Sequence, residues 1–282
     1  MDRTARRFAA ARLYYGHGTG NARDEAAFLV IRALGLPFTA DPDLGVDAAG
    51  VEPLILRRIA ERVPVAYLLN EAWLGGVPFY VDRRVIIPRS HIADLLREKL
   101  QPWLRAPVRR VLDLCTGCGC LAVLAARAFP RARVDASDIS PAALAVARRN
   151  VRQHRLVRRI RLVRSDLFSS LDEGPYDLIV ANPPYVSTAA MRRLPPEYRY
   201  EPGMALAAGR DGLDIVRRIL VRARAHLAPE GLLACEVGDG RRALERAFPA
   251  VPFIWPAESV FLLERSQTAS LPANRHAARR AG

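Results

Sequence analysis

The sequence has few of the features that mark membrane, disulfide-rich or metal-binding proteins. Half of its 282 residues are hydrophobic, yet no apolar run approaches the roughly 20 residues that cross a bilayer. Four cysteines are too few for a disulfide framework in a chain of this length: Cys115, Cys118, Cys120 and Cys235. The second cysteine or histidine pair that a zinc site needs is missing. We therefore expect buried thiols, no metal, and a soluble cytoplasmic protein whose N-terminus is not a signal segment.

Lysine is almost absent, so arginine carries nearly all of the positive charge. The formal net charge is +14, and Lys99 is the only lysine among 43 lysine and arginine residues. Eight arginines lie between residues 148 and 164. Such a cluster attracts polyanions and predicts a contact with RNA or an RNA-rich particle, whereas an ordinary solvated surface has the same composition in an arginine-preferring protein. Both interpretations stay open, although no aromatic residues interleave to form a stacking platform for single strands.

The first part of the chain has the apolar spacing of helices. Asn21 is a typical helix cap, Gly35 a typical stop, and a second helical pattern covers residues 51–63 before Pro64. We assign residues 1–70 to a small helical domain that recognises the substrate. Residues 71–90, which contain a Gly-Gly turn between two β-rich runs, are predicted to form a linking β-hairpin.

The pattern changes after residue 109 to alternating strands and helices. Strands are predicted at residues 111–114, 134–137, 160–163, 178–181, 232–237 and 260–263, and helices at 121–129, 142–151, 213–227 and 241–248. This alternation indicates an α/β fold with a doubly wound, mostly parallel sheet, whose ligands bind at the carboxyl ends of the strands. We assign residues 91–265 to this catalytic domain and residues 266–282 to a basic, disordered tail.

A glycine-rich turn follows the first of these strands. Gly117-x-Gly119-x-x-Ala122 satisfies the dinucleotide fingerprint, in which glycines let a ligand approach the backbone. NAD is the default ligand for such a turn. Asp113, however, precedes the glycines, and a carboxylate there repels a pyrophosphate but attracts a cationic amino group.

Two further carboxylates follow the next two predicted strands. Asp138 is placed to accept from ribose hydroxyls, and Asp166 to accept from an adenine amine while Phe168 packs on the ring. Each aspartate alone is an ordinary cap or turn residue, but the three together fit a ligand with an amino acid, a ribose and an adenine. S-adenosyl-L-methionine has that layout. The predicted cofactor-binding residues are Asp113, Cys115, Thr116, Gly117, Gly119, Asp138, Ile139, Asp166, Leu167, Phe168 and Asn182.

The predicted strand at 178–181 ends in Asn182-Pro183-Pro184-Tyr185. Each proline restricts the residue before it, so the tetrapeptide is stiff. Asn182 and the carbonyl of Pro183 offer two acceptors, and Tyr185 offers a ring. Such a group can hold both hydrogens of a planar NH2 while the ring packs on its face. We assign these four residues to catalysis, with an ordinary strand-to-turn exit as the alternative.

Together these motifs resemble the class I methyltransferases, and within them the N5-glutamine methyltransferases. The resemblance covers nearly the whole chain. Beyond the motifs above it rests on Ile87-Pro88-Arg89, Glu201-Pro202 and Gly209-Arg-Asp211-Gly212. Glu71-Ala-Trp73 and Pro78-Phe-Tyr-Val-Asp82 are similar to the branch that modifies the third protein of the large ribosomal subunit. The glycine-rich loop expected before Val260 is shortened, so the sequence does not decide whether the C-terminal hairpin forms.

The resemblance implies a seven-stranded Rossmann-like sheet, and we expect a monomer. It also implies transfer of a methyl group from S-adenosyl-L-methionine to the side-chain amide nitrogen of a glutamine in that ribosomal protein. Two alternatives remain on sequence grounds, namely glutamine methylation of peptide-chain release factors and methylation of an exocyclic amine of adenine or guanine in nucleic acid.

Overall fold

A computed structural model describes residues 1–37, 39, 50–172 and 174–271. The chain divides into two units, the first consisting of Met1–Arg89 with Leu194–Pro202, and the second of Ser90–Arg193 with the chain from Gly203 onward. This division differs from the predicted ranges in two places. The hairpin segment belongs to the first unit instead of forming a separate linker. Leu194–Pro202 also belongs to the first unit, although it lies within the range predicted for the catalytic domain.

The first unit is built from short helices and one hairpin. Its elements are α1 (Asp2–Ala10), α2 (Ala22–Ala33), α3 (Glu52–Glu61), α4 (Val65–Leu69), β1 (Glu71–Leu74) and β2 (Val77–Tyr80). The predicted cap is confirmed, because the Asn21 side chain accepts from the backbone N–H of Asp24 at 2.9 Å. The predicted stop is confirmed as well, since Gly35 follows α2 with a φ of +66°. Phe8, Leu29 and Ile55 lie at the centre of the apolar core between the helices.

A fully buried arginine ties Leu194–Pro202 into the first unit. Nε of Arg58 lies 2.7 Å from Oε1 of Glu25, and Nη1 lies 3.5 Å from Oε1 of Glu197. Arg62 adds an ion pair of 2.7 Å to the same Glu197 oxygen. Because buried charges need partners, these arginines explain why a segment distant in sequence joins this unit.

The second unit contains the predicted α/β sheet. Its strands are β3 (Arg110–Leu114), β4 (Arg133–Asp138), β5 (Ile160–Arg164), β6 (Tyr176–Ala181), β7 (Leu227–Glu236), β8 (Ile254–Ala257) and β9 (Val260–Glu264). They lie in the order β5-β4-β3-β6-β7-β9-β8, and all run parallel except β9, which is antiparallel to its neighbours β7 and β8. The predicted seven-stranded, mostly parallel fold is confirmed. The C-terminal hairpin, which the sequence did not decide, is present and consists of β8 and β9.

Helices surround this sheet, and all four helices predicted for this domain are among them. They are α5 (Ile92–Arg97), α6 (Cys120–Ala128), α7 (Pro141–Gln153), α8 (Thr188–Met191), α9 (Asp214–His226) and α10 (Arg241–Ala247). The core joins apolar residues of the central strands to α9, as in Ile179, Leu233 and Ile219, which are all fully buried. None of the helices in the described part of the chain is long and apolar enough to cross a membrane.

The prediction of a disordered tail is wrong for its first residues. Gln267–Ser270 form a short 3-10 helix. Thr268 is buried, and its hydroxyl accepts from Arg224 and donates to the carbonyl of Arg265. Leu271 packs against the main core. The rest of the predicted tail, from residue 272, lies outside the described residues, as does most of the turn-rich segment 37–50.

The Arg58 network predicts a large difference between two neighbouring arginines. Arg58→Ala leaves the buried carboxylates of Glu25 and Glu197 without their shared partner, so we expect the free energy of unfolding of the first unit to fall by about 3–5 kcal/mol. Arg57→Ala is the matched control, because Arg57 is half exposed and forms only a surface pair with Glu61. It is expected to cost at most about 1 kcal/mol. Chemical denaturation followed by circular dichroism measures both, and equal losses would contradict a stabilising role for the buried network.

Candidate active site

The glycine turn joins β3 to α6 and forms one side of the site. Gly117 and Gly119 both have positive φ, at +54° and +84°, which other residues adopt only with strain. A Cβ placed on Gly119 would lie 3.2 Å from Cβ of Ala147, so this glycine also permits close packing of α6 against α7. At Gly117 the space around such a Cβ is open. The turn therefore leaves its backbone accessible at Gly117.

Asp113 is the next-to-last residue of β3 and lies beneath this turn with no exposed surface. Its Oδ2 accepts from Oγ1 of Thr116 at 2.5 Å and from the N–H of Ala122 at 2.9 Å, while Oδ1 has no hydrogen-bond partner within the described chain. Burial raises the pKa of this carboxyl to about 7, against the opposing effect of those two hydrogen bonds. Oδ2 of Asp113 thus holds the glycine turn and the start of α6 in place, while Oδ1 is a buried acceptor.

Asp138 lies at the end of β4, the strand next to β3. Its Oδ2 accepts from the N–H of Gly117, and its Oδ1 accepts from the N–H of Ser140, both at 2.9 Å. Burial raises the pKa of Asp138, while those backbone hydrogen bonds oppose the shift. Ile139 follows with a side chain that is 49% exposed, which is unusual for a large apolar residue at the end of a buried strand. A carboxylate and an exposed aliphatic surface therefore stand side by side.

The three predicted cofactor residues after β5, Asp166, Leu167 and Phe168, differ in their surroundings. Oδ2 of Asp166 accepts from Arg218 of α9 at 2.7 Å, a partner that the sequence did not reveal. Leu167 has a φ of +52°, and its carbonyl accepts from Ser165. The expectation that Phe168 packs on a ligand ring is wrong, because its side chain is 1% exposed and stacks on His226 with 4.4 Å between ring centroids. Phe168 belongs to the core.

Asn182-Pro183-Pro184-Tyr185 follows β6, which pairs in parallel with β3. Two glycines fix the position of Tyr185. A Cβ on Gly238 would lie 2.6 Å from Cε2 of the Tyr185 ring, and one on Gly212 would overlap the Tyr185 carbonyl. Both glycines have positive φ. The ring therefore lies against bare backbone of the loop that follows β7.

The strand order brings these groups to one edge of the sheet. Leu114 pairs with Ala181, so the glycine turn after β3 and Asn182 after β6 begin side by side. The order reverses between β3 and β6, and crevices at such a reversal are the usual ligand sites of open α/β sheets. The structure brings together the predicted residues at the ends of β3, β4 and β6.

Sequence reasoning missed Glu236 at the end of β7. Ala181 pairs with Cys235, so Glu236 is the next residue at the same edge as Asn182. It is 4% exposed and accepts from Oγ of Ser90 at 2.6 Å, and Nδ1 of His91 lies 2.8 Å from Oγ of Ser259 nearby. A lone carboxylate that closes an apolar strand is the same signal that identified Asp113, so the residue was detectable.

All four cysteines are free thiols. Among the described residues, no three or more histidine, cysteine or acidic side chains are placed to hold a metal ion. Cys118, Cys120 and Cys235 are buried, as predicted, and Cys115 is partly buried. All four lie on or beside the strands and turns just described, where small side chains fill space.

Comparison with known proteins agrees with this geometry. The family model described as "Methyltransferase small domain" matches residues 92–194. A ribosomal protein uL3 glutamine methyltransferase of Bordetella pertussis is 51% identical over 93% of this chain and 92% of its own. Proteins of the same name from Neisseria meningitidis serogroup A and Burkholderia pseudomallei are 48% and 49% identical, covering 93% and 95% of this chain and 90% and 92% of their own. The chain therefore belongs to the family of ribosomal protein uL3 glutamine methyltransferases.

Proposed function

We propose that this chain transfers a methyl group from S-adenosyl-L-methionine to the side-chain amide nitrogen of a glutamine in ribosomal protein uL3. The observation that carries the proposal is the pairing of β3 with β6, which sets an accessible glycine turn beside Asn182-Pro183-Pro184-Tyr185 in a chain about half identical to relatives of that name. Ribosomal proteins are assembled in the cytoplasm, and the proposal locates the enzyme there.

The groups at the sheet edge fit S-adenosyl-L-methionine by their chemistry. The unpaired Oδ1 of buried Asp113 suits a cationic amino group, and open backbone at Gly117 suits close approach of a ligand. Asp138 suits ribose hydroxyls, and exposed Ile139 suits the face of an adenine. We assign to the cofactor every residue predicted for it except Phe168: Asp113, Cys115, Thr116, Gly117, Gly119, Asp138, Ile139, Asp166, Leu167 and Asn182.

S-adenosyl-L-methionine supplies, when bound, a methyl group on a positively charged sulfur. The glutamine nitrogen is a poor nucleophile, because its lone pair is delocalised into the carbonyl. Asn182 and the carbonyl of Pro183 accept its two N–H groups, and Tyr185 packs on the amide, so the nitrogen is held in one orientation. As that nitrogen becomes positive, both acceptors bind it more strongly, which is stabilisation specific to the transition state. The protonated amide then loses its proton readily, and no dedicated base is needed.

Asn182→Ala tests the catalytic assignment. Since the interaction with the substrate amide belongs chiefly to the transition state, we expect kcat at saturating S-adenosyl-L-methionine to fall steeply while the melting temperature changes little. Asn182→Asp keeps an acceptor in nearly the same volume and should retain more activity than the alanine variant. Single-turnover methyl transfer to purified uL3 measures both.

The same assay should include release factors and ribosomal RNA as methyl acceptors, with mass spectrometry of the labelled species. Label on either of these instead of on a uL3 glutamine would overturn the proposed substrate. A wild-type rate in Asn182→Ala would reduce the tetrapeptide to an ordinary turn.

Asp138→Ala tests the cofactor assignment. The substitution removes a charged acceptor from the ribose hydroxyls and also releases the N–H groups of Gly117 and Ser140, so affinity for S-adenosyl-L-methionine should fall by at least the roughly 1.5–3 kcal/mol of one charged hydrogen bond. Asp172→Ala is the matched control, because that carboxylate is 85% exposed and its loss changes the net charge equally. Titration calorimetry that finds the two variants alike would remove Asp138 from the cofactor site.

We further propose that the arginines of residues 148–164 contact ribosomal RNA when uL3 is part of a ribosomal particle. The structure separates this cluster into two kinds of residue. Arg159 donates to the carbonyls of Phe129 and Ala132, and Arg161 pairs with Asp135, so these two belong to the fold. The remaining members are exposed and lie on α7 and around the edge strand β5: Arg148, Arg149, Arg152, Arg155, Arg158 and Arg164. Exposed charge of one sign supports attraction to phosphates.

Reversing the charge of Arg148, Arg152 and Arg158 to glutamate should lower activity on ribosomal particles and flatten its dependence on salt, while activity on free uL3 survives. The control reverses Arg222, Arg242 and Arg246, which are equally exposed in the same unit. Activity on particles that responds equally to both triple variants would assign the cluster to the solvated surface.

A further inference from the structure

A groove of about 540 Å³ lies in the second unit, at the amino ends of β3, β4 and β5. Half of the residues that line it are arginines: Arg110, Arg133, Arg158, Arg159 and Arg161. Arg110 begins β3 and pairs in register with Arg133, which begins β4. The six residues of β4 place Arg133 about 17 Å from Asp138 at the other end of the strand. The groove is therefore separate from the candidate active site, which lies at the carboxyl ends of the strands.

The groove carries more positive than negative charge. Its lining has two carboxylates, Asp135 and Asp172, against the five arginines, which gives a formal net charge of +3. Asp135 accepts from Arg161 at 2.7 Å and lies 3.6 Å from Arg110, so two arginines share this one carboxylate. Asp172 is 85% exposed and lies 3.9 Å from Arg161, where solvent weakens the attraction. Most of the positive charge is thus left for a ligand.

Neutral backbone carbonyls hold two of these arginines in place. Arg159 donates to the carbonyls of Phe129 and Ala132, at 2.7 and 2.8 Å. Arg110 donates to the carbonyl of Gly174 at 3.1 Å. A carbonyl positions a guanidinium without neutralising its charge. An arginine fixed in this way loses less side-chain entropy when it binds an anion than an arginine that is free in solvent.

The positive surface continues beyond the groove. Arg133 and Arg158 are exposed, and neither forms an ion pair with a described carboxylate. Further exposed arginines precede the same three adjacent strands, namely Arg109 before β3, Arg131 before β4 and Arg155 before β5. A small anion needs only one pocket, whereas a polymer with a phosphate on every residue gains from such a continuing surface.

The groove has groups that suit a phosphate but none that suit a base. Guanidinium groups bind phosphate oxygens in pairs. Among the described residues that line the groove, none has an aromatic side chain. Tyr176 lies under Arg110, with 4.6 Å between guanidinium carbon and ring centre, but it is fully buried and offers no surface for stacking. Recognition of RNA here would therefore be independent of base sequence.

We propose that this groove binds a backbone phosphate of RNA. The proposal rests on the proposed contact between residues 148–164 and ribosomal RNA, and it extends that contact. It names the point at which the RNA is held and adds Arg110 and Arg133, which lie outside that range. It also locates the RNA at the amino edge of the sheet, so the groove supports docking on a ribosomal particle and takes no part in methyl transfer.

Arg133→Ala combined with Arg158→Ala tests the groove. Both side chains are exposed, so the melting temperature should not change. The affinity of the full chain for a labelled oligouridylate should fall about tenfold, and that for an oligoadenylate equally, since only the backbone is bound. The slope of log affinity against log salt concentration should become less steep by about 0.7 for each arginine removed. Fluorescence anisotropy at several salt concentrations measures both quantities.

The matched control is Arg222→Ala combined with Arg246→Ala, which removes the same charge from exposed positions outside the groove. It should lower the affinity less than about twofold, because long-range attraction alone is reduced. Equal losses of affinity and equal changes of salt slope in the two double variants would show a response to net charge only, and would overturn the proposal.

Asp172→Asn provides a second test with the opposite sign. It removes a carboxylate from the lining, so oligouridylate should bind about two- to threefold more tightly. Asp94→Asn is its control, because that carboxylate is 58% exposed on α5, also pairs with an arginine and lies outside the groove. Equal tightening in the two variants, or none in Asp172→Asn, would count against the groove.

Small phosphate compounds are the other source of the same chemistry. Inorganic phosphate and ATP are therefore titrated separately into the full chain by calorimetry. Binding of either compound that is lost in the Arg133 and Arg158 double variant, while oligouridylate still binds with wild-type affinity, would assign the groove to a small ligand and overturn the assignment to RNA.

These binding measurements need no methyl transfer, so their outcome is separate from that of the proposed function. If the wild-type enzyme does not methylate uL3, the proposed function fails whatever the groove binds. Arg148→Ala combined with Arg152→Ala separates the groove from α7, where both arginines are exposed. If that variant weakens oligouridylate binding and the groove variant does not, the RNA contact remains on α7 and the groove alone is lost.

Discussion

The parallel pairing of β3 with β6 is the constraint from which the arrangement of the site follows. In that register Asp113 lies beside Val180 and Leu114 beside Ala181, so the glycine turn and Asn182 begin at the same level of the sheet. β4 and β5 continue on one side of β3, and β7 continues on the other side of β6. Groups from four separate parts of the chain therefore meet at one edge of the sheet, although the short motifs that supply them are far apart in the sequence. Relative positions of this kind depend on strand register, which tolerates no slip when both faces of the sheet are buried.

Buried carboxylates organise both units, but by different means. In the second unit Asp113 and Asp138 are held by backbone N–H groups and a hydroxyl, and burial raises their pKa because no cation compensates for lost hydration. In the first unit Glu197 is held by arginines, and its pKa is lowered, since those contacts together with backbone hydrogen bonds outweigh the desolvation that opposes them. Carboxylates without a bound cation keep an attraction for a cationic ligand, whereas carboxylates already paired with arginine serve only the fold. This contrast supports a binding role for the first pair and a structural role for Glu197.

The sequence predicted every strand of the sheet except β8, and it predicted most of the residues that meet at the sheet edge, because the signals there are local. A strand followed by glycines, or by Asn-Pro-Pro-Tyr, is recognisable within about a dozen residues of sequence. The alternation of strands and helices indicates the fold class. What it could not show were contacts between distant residues: Arg218 on Asp166, His226 under Phe168, and the arginines that draw Glu197 and Glu201 into the first unit. Strand β8 was missed because it is short, contains Pro256 and is only partly buried, so it lacks the apolar run that marked the other strands. Glu236 was missed for a different reason: it lies inside the predicted strand at 232–237, and its carboxylate was not interpreted as part of a site.

The membership of Leu194–Pro202 in the first unit restricts how this protein can be divided or recombined. A shortened chain that begins at Ser90 keeps Glu197 and Glu201 but loses Arg58, Arg62 and Arg89, which are their partners. Glu201 would also lose the N–H of Ile87. Two carboxylates that are now buried would then have to reach water, so the segment between Val186 and Leu206, whose ends are joined by a backbone hydrogen bond, would have to rearrange. A single crossover between genes therefore cannot exchange the first unit intact; a transferred first unit has to carry Leu194–Pro202 along with the N-terminal residues.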